Sequence, residues 1–100
     1  MTKEQAIQLI ETKQKEKHIL LNQLEKIKNE VEYFIDNVET SNKTVEDVEN
    51  TDRQSREVLM QLYDINTDLL LAYVVLEKNI SILAAENAMY EPYIEKLMNK

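Results

Sequence analysis

Leu69-Leu70-Leu71-Ala72-Tyr73-Val74-Val75-Leu76 is the stretch that decides how this chain folds. At about 100° per residue, eight consecutive apolar side chains cover the whole circumference of a helix. A helix that is apolar all round must be buried. Glu77-Lys78-Asn79 closes the run, far short of the ~18 residues that would span a bilayer. The helix therefore needs protein on more than one side.

Outward from that run, Leu59, Leu62, Asn66, Leu69, Tyr73, Leu76, Ile80, Leu83, Asn87 and Tyr90 step by three and four, the a/d spacing of a long helix. Thr51-x-x-Gln54 offers a capping box at its start. Pro92 has no amide proton to donate and should end or kink the helix near Met89 to Glu91. The expectation is a helix over about 53–90 and a short tail helix over about 92–99.

A matching stripe lies upstream: Leu20, Leu24, Ile27, Val31, Phe34 and Val38. Ala6, Ile7 and Ile10 continue it toward the N-terminus, with Lys13 and Lys17 at seam positions where their aliphatic stems can snorkel. Thr2-x-x-Gln5 reads as the cap, giving a first helix over about 3–40. The stretch from Thr40 to Asn50 is rich in turn residues, and in a chain without glycine Asn42 or Asn50 is the natural left-handed position.

Two antiparallel registers compete. A turn at Ser41-Asn42 starts the second helix at Val45 and sets Val31 against Asp52 and Ile27 against Ser55. A loop over about 41–52 instead pairs Val38 with Val58, Phe34 with Leu62, Ile27 with Leu69, Leu24 with Tyr73 and Leu20 with Leu76. The second matches apolar to apolar at every step and is the expected one. The fold class is all-α: one domain, a coiled-coil-like antiparallel two-helix hairpin with a short C-terminal helical segment, completed as a bundle by self-association or by a partner. The intramolecular seam comprises Leu20, Leu24, Ile27, Val31, Phe34, Val38, Leu59, Leu62, Leu69, Tyr73, Leu76, Ile80 and Leu83.

Composition narrows function. The 100 residues contain no glycine, which excludes P-loops, dinucleotide fingerprints and nucleophile elbows. They contain no cysteine either, which excludes disulfides, zinc knuckles and thiol catalysis. Nineteen acids against twelve bases give a net charge of −7 spread along the chain, and such a surface repels nucleic acid and anionic lipid. Lys3-Glu4-Gln5 leads into a polar helix and not an apolar signal region, so the expected location is cytoplasmic, with leaderless secretion left open.

The candidate chemistry reads as structure. His18, the single imidazole, sits in a polar stretch as an exposed helical residue. Glu46, Asp47, Glu49 and Asp52 lack the glycine and closing glutamate of a calcium loop. No Glu-x-x-His pair of a di-metal bundle occurs. Asn66 and Asn87 are polar register-setting seam positions. The expectation is a protein that is no enzyme and has no cofactor, metal or small-molecule substrate.

What remains is the back of the second helix. The first helix covers the face carrying Leu69, Tyr73 and Leu76, leaving Leu70, Leu71, Val74 and Val75 in water, each worth roughly 1.5–3 kcal/mol when buried. Two coverings are open: the C-terminal segment with Tyr93, Ile94 and Leu97 folding back, or a second copy or helical partner. The second is the expected one, and its interface is Leu70, Leu71, Val74, Val75, Ile82, Tyr90 and Tyr93.

In length, two-helix layout, mid-chain loop and short tail, the chain is similar in outline to the small hairpin proteins of Gram-positive type VII secretion and to the helical partners of their LXG toxins. Tyr73-x-x-x-Glu77 matches that family's Tyr-x-x-x-acid spacing but lies mid-helix, and the family's Trp-x-Gly turn is absent. The resemblance implies a small partner or chaperone of a secreted effector. The alternative is a phage or mobile-element inhibitor, immunity protein or antitoxin that sequesters a target through the acidic surface.

Overall fold

A computed structural model describes residues 1–36 and 45–98, with the backbone alone for residues 34, 35 and 96–98. The described residues form three helices and no strand: α1 (Lys3–Asp36), α2 (Val45–Val75) and α3 (Ser81–Met98). The molecule is an all-α hairpin of two long helices with a shorter third helix packed on it, 55 × 26 × 18 Å overall. Val38 and the Asn42 turn position lie outside the described residues, as do the side chains of Phe34 and Leu97.

The capping box at Thr2 forms as the sequence indicates. Thr2 Oγ accepts the Gln5 amide at 3.1 Å and Gln5 Oε1 accepts the Thr2 amide at 2.9 Å. The start of α2 differs from expectation. It begins at Val45, with Glu46 and Asp47 in its first turn where carboxylates favour the positive helix end. Thr51 is then interior, and its hydroxyl donates back to the Asp47 carbonyl at 2.9 Å instead of capping.

The expected continuous helix over 53–90 is also corrected. It breaks after Val75, and Glu77 adopts φ 57°. The Glu77 amide donates to the Val74 carbonyl (3.1 Å) and the Lys78 amide to the Tyr73 carbonyl (2.9 Å), the paired bonds of a Schellman C-cap. Lys78 Nζ lies 5.6 Å from the Tyr73 ring centroid, adding a contact between the same two positions. Asn79 Oδ1 then accepts the Ser81 amide at 2.8 Å and starts α3. Pro92 does not end that helix, which runs to Met98. The residue four positions earlier, Ala88, is exposed, so water can reach the carbonyl that Pro92 leaves without a partner.

α2 is the central helix. α1 and α3 each pack against it, and among the described residues their backbones do not pack on each other. Val58, Leu62, Ile65, Asn66, Leu69 and Ala72 of α2 are buried, with Ala6, Ile10 and Leu20 of α1 and Leu83 and Asn87 of α3. Leu24, Ile27, Leu59, Tyr73, Leu76 and Tyr90 pack around them half-buried. Ile80 departs from the expected seam: it lies in the break and is 38% exposed. By length and composition alone α2 is apolar enough to cross a membrane.

The register is the one rejected on sequence grounds. Val31 lines a cleft with Asp52 and Ser55, Ile27 lies beside Gln54 and Val58, and Leu20 lies beside Gln61 and Ile65. Lys13 Nζ reaches Asp68 at 3.4 Å in the same alignment. Matching every apolar pair presumed that α1 alone satisfies the seam of α2. In the fold α3 packs on α2 as well, and Asp52, exposed and paired with Arg56, borders α1 at low cost.

Candidate helix-docking groove

At mid-height the three helices meet through polar side chains. Glu86 Oε2 of α3 accepts from Lys17 Nζ of α1 at 2.7 Å and from Asn66 Nδ2 of α2 at 2.9 Å. Asn66 is fully buried, and the Lys17 and Glu86 side chains are 16% and 29% exposed. Asn66 Oδ1 and Asn87 Oδ1 are buried with no hydrogen-bond partner among the described residues. Lys13 meets Glu16 and Asp68. Burial lowers the Lys13 pKa, but hydrogen bonds to those carboxylates and their charges outweigh it and leave it raised. Tyr90 is pushed above its usual value by burial first and then by the Glu86 charge. Tyr63 is raised by the charge of Glu91, whose Oε1 accepts its hydroxyl at 3.3 Å.

The pairings set directions. Asn66–Glu86 and Tyr63–Glu91 make α3 antiparallel to α2, and Lys13–Asp68 together with the cleft that joins Val31 to Asp52 and Ser55 does the same for α1. α1 and α3 therefore run parallel on either side of α2, with a groove between them spanned by Lys17–Glu86. Leu21, one turn after Lys17, belongs to the wall of α1 and is 40% exposed. Ile82, Met89 and Tyr93 share the Glu86 side of α3 at helical spacing and are 76%, 68% and 51% exposed. Tyr93 closes one end against Leu24, Ile27 and Val31 in a cleft of about 480 Å³. The crest of α3 continues as exposed Ala84, Ala85, Ala88 and Pro92. Of the acids on α3, Glu86 and Glu91 are engaged with Lys17 and Tyr63.

The seven residues expected at a partner interface separate. Leu70, Val75 and Tyr90 are half-buried and pack on the core. Leu71, Val74, Ile82 and Tyr93 remain exposed. Leu71 and Val74 lie on the back of α2. Val74, three turns beyond Tyr63, is on the side bordering α3. Met89 was missed, although its spacing of seven from Ile82 signalled the stripe. The fold-back covering of α2 is the one present in the chain, and it begins earlier than Tyr93.

Two further candidates lie at the surface. His18 Nε2 lies 3.5 Å from Asn22 Nδ2 on an exposed face. Asp52 pairs with Arg56 at 3.0 Å. Among the described residues no group of three or more His, Cys, Asp or Glu is placed to hold a metal ion. No family model, curated protein or solved structure matches the chain.

Proposed function

We propose that this chain is a non-enzymatic helical interaction module that takes an amphipathic helix of a partner protein into the groove between α1 and α3. The carrying observation is that Leu21, Ile82, Met89 and Tyr93 stand exposed on facing walls of two parallel helices, with no fourth helix between them among the described residues. A helix laid antiparallel to α1 and α3 would complete a four-helix bundle and cover all four side chains. The outline shared with type VII secretion hairpins supports a small partner or chaperone of an effector. The net charge of −7 favours a second reading, sequestration of a basic target through the acidic surface.

The test is a photo-crosslinking residue placed at Met89 or at exposed Glu49 in the native cell. Crosslinking of one protein from position 89, through an apolar helical segment, lost on Ile82→Glu and absent from position 49, is the expected outcome. Equal capture from both positions, weakening steeply with salt, would replace the groove by the acidic surface.

A further inference from the structure

We infer that α3 exchanges between two copies of this chain, with residues 76–80 as the hinge, giving a dimer in which each α3 packs on the other copy's α2. This inference is independent of the groove, because exchange leaves the Ile82–Met89–Tyr93 stripe on the same flank.

Three observations meet at the hinge. The apolar period of α2 runs unbroken through it: Leu69, Tyr73, Leu76, Ile80 and Leu83 keep the steps of one continuous helix, although the chain breaks there. The break holds a glutamate at φ 57°, a left-handed conformation that a residue with a Cβ adopts at a cost and that a continuous helix would relieve. The break also leaves Ile80 exposed and Leu76 half-buried, although both belong to that period.

The pairing numbers place the dimer axis. Asn66 bonds Glu86 and Tyr63 bonds Glu91, so residues across the α2–α3 contact sum to about 152–154. Two continuous α2–α3 helices from two copies, wound around each other antiparallel in that register, cross on a two-fold axis at residues 76–77. Asn66 of each copy then meets Glu86 of the other, and Tyr63 meets Glu91. Tyr73 falls opposite Ile80, and Leu76 lies on the axis itself, so Ile80, exposed in the closed form, and half-buried Leu76 and Tyr73 become the centre of the dimer. The exchanged form re-forms the Asn66–Glu86 and Tyr63–Glu91 pairs between copies, gains helix across the hinge and removes both left-handed glutamates. Such exchange is a low-cost route to an isologous dimer.

The chain has no cysteine, which allows a clean test. A Tyr63→Cys chain and a Glu91→Cys chain, unfolded together, refolded at high concentration and treated with a short bis-maleimide, should yield a heterodimeric crosslink. A mixture of Tyr63→Cys with Asn29→Cys should not. Light scattering should show twice the chain mass in the crosslinking fraction. Glu77→Gly fits the closed turn and weakens the continuous helix at two hinges per dimer, so it should weaken dimerisation on the order of 100-fold or more. Lys78→Ala with Asn79→Ala, which removes the ring contact and the α3 cap, should strengthen it. A chain that stays monomeric at millimolar concentration after this refolding, or a dimer in which Tyr63→Cys/Glu91→Cys chains crosslink only internally, overturns the inference. Helicity by circular dichroism on each variant separates these outcomes from failure to fold.

Discussion

The one left-handed residue of the described chain is a glutamate, and its consequences can be measured. A non-glycine residue in that region costs about 1–2 kcal/mol. Below the concentration at which copies associate, Glu77→Gly should stabilise the closed fold by about 1 kcal/mol and raise the melting midpoint by roughly 4–8 °C. Tyr90 gives a second prediction. Its folded-state pKa lies above the ordinary 10.0 because burial and Glu86 disfavour the phenolate. The stability it confers is complete below pH 10 and is lost as pH rises through the folded value. Thermal melts between pH 8 and 11 should therefore flatten in Tyr90→Phe relative to the parent; equal alkaline slopes would remove Tyr90 from the cause. The seam asparagines were legible at this scale, because a polar residue at an a/d position announces itself. Their shared partner was not. Glu86 is 20 residues from Asn66 and 69 from Lys17 in sequence, and only a third helix folding back brings the three together.

Among the helices, caps and breaks decide the boundaries, and they were unevenly readable. The Thr2 box is a local pattern of four residues and formed as written; Thr2→Ala should cost about 1 kcal/mol by chemical denaturation. The break at Glu77 carried no glycine to mark it, so the apolar period overrode a C-cap that depends on the Schellman bonds and on Lys78 over Tyr73. Pro92 misled in the other direction. It is exposed inside α3 and removes one backbone bond without ending the helix. Pro92→Ala restores that amide donor and should stabilise the protein by up to about 3 kcal/mol, read from urea midpoints at constant slope.

Across the whole molecule, the all-round apolar run correctly announced that α2 needs covering on two sides. It could not say that the chain supplies the second cover itself, and assigning α1 the entire seam produced the wrong register. Leu62, fully buried where the sheltered faces of α2 converge, should lose about 2–5 kcal/mol as Leu62→Ala, checked by denaturant melts. The order of packing also bears on how fast the chain folds. α1 and α3 each lean on the helix next to them in sequence, so the native contacts are mostly between neighbours and no distant strands must find each other. Local contacts of this kind fold in microseconds to milliseconds, and stopped-flow refolding should finish within its first milliseconds. During synthesis the α1–α2 pair can close while α3 is still being made, leaving bare the α2 flank of Tyr63 and Asn66, with Leu59 and Leu70 one turn to either side. The nascent chain is thus stickiest just before its last helix emerges.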